Sequence, residues 1–320
     1  MKNKAPQAAQ SYQPGMGGRS TLQRTLRNMR KNYILYLFLL PAIVWYIMFE
    51  YFPMGGLYVA FTRYKGVGDV FSAKFVGMKW FKSYFNSRYA STTIINTLRL
   101  SLYGLALFPL PIIVALLLNE ISQKKIKGTA QTIMYAPHFV SLVIQVSIIQ
   151  LFFSSNGIVN IVLGKLGIDT VNFLGSTKVY PHLYVWSTMW SNLGWNTIIY
   201  TAALSSVDPG LHEAATLDGA SRLQRVWHIN LPTILPTIVI TLILRVGGIM
   251  KLSTEKSLLL RNSMNMGVAE TIGTFVYERG LLSGDFGYAA AVGLFMNVVN
   301  LVMLLTVNFI SKKVSDTSLF

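Results

Sequence analysis

Six apolar runs, each close to twenty residues long, constrain this chain more than any other feature: 33–52, 97–118, 133–153, 183–204, 233–250 and 289–310. A helix needs roughly 17 to 25 predominantly apolar residues to cross a bilayer, and every run meets that length. A soluble fold of 320 residues could bury one large core but could not hide so many separate runs. Inside hydrocarbon each backbone N–H and C=O must find its partner within the segment, so the runs are read as helices. The expected fold is an all-α integral membrane bundle of six spans. Pro41, Pro109, Pro111, Pro137 and Pro236 fall inside the runs, where neighbouring helices or waters satisfy the freed carbonyls.

Composition agrees with lipid as the solvent. Only 12% of residues are charged, against about 25% in an average soluble domain. The 28 basic and 12 acidic side chains leave a net charge of +16, which suits nucleic acid or an anionic lipid surface. No nucleic-acid module accompanies the charge, and the basic residues flank apolar runs. Membrane lipid is therefore the expected partner and nucleic acid is not. There are no cysteines, which removes disulfides and thiol chemistry.

Residues 1–20 read as a disordered tail, and the first apolar run is too long, and lacks a small-residue cleavage site, for a removable signal peptide. Between 21 and 33, Leu22, Leu26, Met29 and Tyr33 recur at helical spacing among Arg24, Arg27, Arg30 and Lys31. That pattern predicts a basic amphipathic helix on the membrane surface. Residues 34–310 form the six-span domain and 311–320 a short tail. The first 32 residues hold seven basic and no acidic side chains, which places the N-terminus, and with six spans the C-terminus, in the cytoplasm. With that tail included, the cytoplasmic segments carry 14 basic residues and the outer loops 12, so the first tail carries most of the orientation.

Polar residues within the spans are costly and each calls for a protein-facing position or a route to the interface. Arg99 can snorkel outward; Arg245 is read as pore-facing, with an ion pair to Glu50 or a partner subunit and contact with an acidic sugar both left open. Trp186, Trp190, Asn192, Trp195 and Asn196 in the fourth run are a mixture that can stack on sugar rings and bond hydroxyls, or serve as interface anchors and interhelical bonds. Trp186, Trp190, Asn192, Asn196 and Arg245 are the candidate substrate-pathway residues. His138 is read as a packing histidine, and the aromatics of 75–85 as an interfacial helix.

The connector between the fourth and fifth runs is unusually well specified. Asp208 is a good N-cap and Pro209 fits a first helical turn, so a helix should begin there and end at Gly219. A second short helix over 221–228 follows, and Pro232 opens the fifth span. A helix, a glycine turn and a helix suit docking into a partner's groove, and equally a pair of surface helices.

The order Glu213-Ala214-Ala215, three residues, Gly219, nine residues, then Ile229-x-Leu231-Pro232 resembles the EAA loop of ATP-binding-cassette (ABC) importer permeases. The segments 75–85, 255–262 and 276–295 resemble the carbohydrate-uptake permeases, in the branch associated with complex polysaccharides and lipoprotein binding proteins. That branch more often has Asn-Pro-Leu where this chain has Asn262-Ser263-Met264. The resemblance implies a type I permease bundle in the bacterial cytoplasmic membrane, with a coupling helix that meets an ATPase through Glu213, Ala214, Ala215, Leu217, Asp218 and Gly219. It also implies a second, usually distinct permease, two ABC ATPases that bind ATP and Mg, and an extracytoplasmic binding protein delivering oligosaccharide.

No GxxxxGK[ST] sequence is present, so ATP must be handled by a partner, and the four histidines are scattered without metal spacing. A catalytic constellation is missing, which argues against a membrane-bound enzyme. A secondary carrier would be expected to carry coupling-ion residues in its core. A permease for peptides or amino acids is the nearer rival.

Overall fold

The structure is a computed structural model that describes residues 30–315 and 318–319. The tail over 1–20 and most of the amphipathic helix expected over 21–33 lie outside the described residues. Contacts divide the chain into two units, with the boundary after Gly56. In the first, the Tyr33–Tyr46 helix passes through a widened turn at Ile47–Tyr51 and on to Met54, and none of these residues is buried. An apolar helix without a buried face needs lipid or another protein around it.

Among the described residues no strand forms beyond one isolated bridge between Thr62 and Phe75. Five helical runs are long and apolar enough to cross a membrane: Tyr33–Phe61, Arg88–Asn119, Leu142–Lys165, Arg222–Gly247 and Phe286–Val314. The fourth expected span lies inside a helix of 25 residues, Tyr180–Leu204, about 37 Å long at 1.5 Å per residue. Its Trp, Ser, Thr and Asn residues keep it below the apolarity of the other five, so length and apolarity together mark five spans and not six.

Three further boundaries differ from the sequence expectation. The second run starts at Arg88 and not near 97, because Thr93, Asn96 and Thr97 face protein and not lipid. Asn96 Nδ2 donates to the carbonyls of Gly267 and Glu270, each at 2.9 Å, and Thr97 Oγ1 accepts from Ile272 N at 3.0 Å. The third run, expected as one helix over 133–153, breaks after Tyr135. Pro137 has no N–H to continue the ladder, so the chain tightens over Ala136–Phe139, extends through Val140, and restarts at Leu142 with Ser141 as N-cap. The buried Gln145 amide donates to the freed carbonyls of Pro137 at 2.9 Å and Val140 at 2.8 Å.

The helix expected to stop at 228 runs on into the fifth span. A reciprocal capping box between Ser221 and Gln224 starts it. A widened turn at Val226–Asn230, where Leu231 N reaches back to Val226 O, absorbs Pro232 without a break.

In the unit from Leu57 onward, the Tyr180–Leu204 helix packs against Pro109–Asn119, Leu231–Gly247 and Lys124–Tyr135, while Leu231–Gly247 packs against Phe286–Ser315. Core side chains such as Ile112, Tyr200, Leu204 and Ile234 fill the first two of these contacts. The helix at Lys79–Phe85 is present, and several of its aromatics turn inward. Tyr84 is buried against Phe275 and Tyr288, and Trp80 Nε1 donates to Thr62 O at 2.8 Å. The turn at 262–265 is tied by Asn262 and Asn265, whose amides both donate to Leu174 O. Ser263 and Met264, the residues that depart from the family pattern, are not the ones making those two bonds.

Candidate functional site

Two cavities of mixed polar and apolar lining open along the Tyr180–Leu204 helix. The first, about 290 Å³, lies between that helix, the Arg88–Ala106 helix and the segment after Gly247; Ser101, Tyr184, Thr188, Asn192 and Lys251 contribute to its wall. The second, about 300 Å³, is lined among others by Trp195, Tyr200 and Thr241. Gly104, Met189, Asn196 and Arg245 belong to both, so the two form neighbouring parts of one polar tract. Neither wall contains an aspartate or glutamate.

Local structure explains the tract. Tyr184, Thr188, Asn192 and Asn196 are spaced four apart, which puts them on one face of the helix, each about a turn above the last. Opposite them, Gly104 leaves the Arg88–Ala106 helix without a side chain where the Arg245 guanidinium lies; a Cβ there would sit 3.6 Å from Arg245 Nη2. The Ser101 hydroxyl is buried and has no hydrogen-bond partner among the described residues. Asn192 is already engaged, donating to Thr188 O and Ser191 Oγ at 3.0 Å each, with Oδ1 3.3 Å from His138 Nδ1.

Of the five pathway candidates, the structure brings Asn192, Asn196 and Arg245 together. Trp186 and Trp190 stand apart from both cavities. The Trp186 indole donates to Tyr103 Oη at 2.7 Å, and that hydroxyl also bonds His182 Nδ1 at 2.8 Å. Trp195 lies on the second cavity and stacks on His138 with ring centroids 4.3 Å apart, so the histidine packs as expected. Ser101, Gly104, Tyr184, Thr188, Thr241 and Lys251 were not anticipated, although the four-residue polar stripe from 184 to 196 was visible in the sequence.

Lys256 was also missed. It lies in the short Thr254–Leu260 helix, outside the long apolar runs, and is 97% buried by the 3% exposure of its residue. Its Nζ donates to Thr188 Oγ1 at 2.7 Å and sits 5.3 Å from the Tyr184 ring centroid, one side chain behind the cavity wall. Burial lowers the ammonium from 10.5 to about 7. The folded protein thus releases this proton above about 7 while the unfolded chain holds it to about 10.5, so stability rises with pH across that window. The melting temperature of the detergent-solubilised protein should climb by several degrees from pH 7 to 9, and Lys256→Met should flatten the climb. An equal climb in the variant would show that another group carries it.

A second site is the connector after Leu204. Asp208 Oδ1 accepts from Gly210 N at 2.9 Å and starts the Pro209–Leu217 helix. The helix closes through Gly219, whose φ of +79° is costly for other residues, with Ala220 N donating to Ala215 O at 2.8 Å. Arg225 Nη1 donates to Thr216 Oγ1 at 2.8 Å, which ties the next helix back onto this one. Glu213, Ala214, Leu217, Asp218 and Gly219 are exposed and Ala215 is half-buried. At 89% exposure, Leu217 is an apolar side chain with nothing of this chain covering it. A cavity of about 240 Å³ is lined by Asn119, Glu120 and Ser122 together with His212, Arg222 and Arg225, so two loops that the apolar runs separate meet on one face.

Long apolar helices, a polar tract between them and a capped, exposed helix at one end define a multi-pass membrane permease. The chain belongs to the family of binding-protein-dependent transport system inner membrane components, whose family model matches residues 107–316. Protein LplB of Bacillus subtilis (strain 168) is 39% identical over 294 residues, covering 91% of this chain and 92% of that protein. The polygalacturonan/rhamnogalacturonan transport system permease protein YteP of the same organism is 39% identical over 300 residues, covering 93% and 94%. A chain in the crystal structure of a bacterial ABC transporter involved in the import of the acidic polysaccharide alginate matches with a TM-score of 0.83 and 36% identity, over 91% of this chain and 99% of that one. A chain of the alginate ABC transporter in complex with an alginate pentasaccharide-bound periplasmic protein matches with a TM-score of 0.84 and 36% identity, over 92% and 100%. The resemblance read from Glu213 to Pro232 is thereby borne out at the level of the family.

Proposed function

We propose that this chain is one membrane subunit of an ATP-driven importer of oligosaccharides, working beside a second, similar permease. The observation that carries the reading is the polar tract along Tyr180–Leu204, found in a chain whose relatives and structural neighbours are named for polysaccharide or oligosaccharide transport. The hydroxyl of Thr188 and the amide of Asn196 can exchange hydrogen bonds with sugar hydroxyls.

Tyr180–Leu204 counts as the sixth span on topological grounds. The loops at 119–122 and 212–225 line one cavity, so the chain between them returns to the face it left, which takes two crossings and not one. The basic N-terminal segment and those loops then face the bacterial cytoplasm, together with the C-terminus. Pro209–Leu217 is the coupling helix, with Glu213 and Leu217 offered to one of two ATPase subunits that hold ATP and Mg. An extracytoplasmic binding protein delivers the cargo on the other side.

Closure of the ATPase dimer on ATP would pull on Pro209–Leu217. Because Arg222–Gly247 is one helical run, that pull passes from the capping box at Ser221 to Arg245 in the cavity wall. ATP interacts differently with the two conformations and so biases an alternating-access cycle. In proteoliposomes holding the co-purified complex, labelled oligosaccharide uptake should require ATP, the ATPases and the binding protein. Uptake without ATP would make the chain a secondary carrier instead.

A further inference from the structure

We infer that the cargo is acidic: the cavity is built to hold carboxylate-bearing oligosaccharides, with Arg245 and Lys251 as the groups that select the charge. This rests on the importer reading above and narrows its substrate class. Both side chains are exposed to the cavity that they line, and no acidic residue shares that wall. Among the described residues from Leu57 onward, the sole ion pair is Arg261–Glu278, so neither cation is neutralised within that unit. Lys256 brings a third basic nitrogen to the same wall through its bond to Thr188.

A transport cavity for neutral sugars needs hydroxyl and amide partners and is burdened by uncompensated cations, which are costly at membrane depth. Low-dielectric walls focus the field of Arg245 and Lys251 into the cavity, raising the local concentration of anions. The planar guanidinium of Arg245 matches a carboxylate with two parallel N–H bonds. Asn196 supplies a neutral hydrogen-bonding group for the ring hydroxyls of the same cargo.

The test compares galacturonate trimer with its methyl ester, which keeps the ring skeleton and removes the charge. Uptake is measured in proteoliposomes of the full complex with the binding protein saturated by either cargo. Wild type should prefer the acid, and Arg245→Gln/Lys251→Gln should lower the ratio of acid to ester uptake at least tenfold, with co-purification confirming assembly. If the double variant fails to assemble, Lys251→Gln alone, at an exposed position, should lower the ratio severalfold. An equal loss for both cargoes would overturn the inference and leave the cations as structural groups or partners of a second permease. Transport of the ester alone would overturn it while the importer reading stands; failure to move either trimer or any neutral oligosaccharide would remove both.

Discussion

Replacing Gly194 by a large residue is expected to prevent the bundle from packing. A Cβ at this position would lie 2.2 Å from Met134 O and 2.7 Å from the Tyr135 ring. The obstruction is backbone, which cannot swing aside as the end of a flexible side chain would. Close approach of two helices at a glycine is how membrane bundles gain contact energy without a hydrophobic drive between them. Gly194→Ala gains about 1 kcal/mol of helix propensity, but overpacking typically costs about 1–3 kcal/mol, and a contact to backbone falls at the upper end. Gly194→Leu should therefore yield little monodisperse protein, and Gly194→Ala a melting temperature lower by several degrees. A Leu variant that purifies with an unchanged melting temperature would show that Tyr180–Leu204 and Lys124–Tyr135 do not meet at this glycine.

How far the sequence discloses the molecule depends on whether the cause of a feature is local. The connector from Asp208 to Gly219 was legible because an N-cap, a proline in the first turn and a positive-φ glycine are each decided within a few residues. The break at Pro137 was not placed, because apolarity continues through it and the compensating amide of Gln145 lies eight residues on. The start of the second run was missed for the opposite reason. Thr93 and Asn96 look like loop residues until their partners at Tyr84, Gly267 and Glu270 are known. Candidate pathway residues divide in the same way. Asn192 and Asn196 share a helical face with Tyr184 and Thr188, so spacing alone could have added those two and removed Trp186 and Trp190. Lys256 reaches Thr188 across 68 residues of sequence, and no local pattern encodes that contact.

The connector proposed as the coupling element invites the second large effect, and two substitutions separate its contact surface from its geometry. Glu213 is exposed, and no hydrogen bond or ion pair engages its side chain among the described residues, so Glu213→Ala removes nothing that this chain uses to fold. Its charge points outward beside the uncovered Leu217, on the surface proposed above to meet an ATPase subunit. Charge-assisted contacts across an interface commonly cost about 2–5 kcal/mol when one partner is truncated, enough to reduce coupled turnover by tenfold or more. Gly219→Val tests the turn instead. No atom lies within 4 Å of the Cβ it would add, so any loss comes from forcing a β-branched residue to a φ of +79°. Both variants should insert with wild-type yield. ATPase stimulation by cargo-loaded binding protein, and uptake with it, should fall at least tenfold for Glu213→Ala and severalfold for Gly219→Val. If Glu213→Ala retains full stimulation, the ATPase engages the permease elsewhere on this face, and the cavity shared by Glu120, His212 and Arg222 becomes the place to look for that contact.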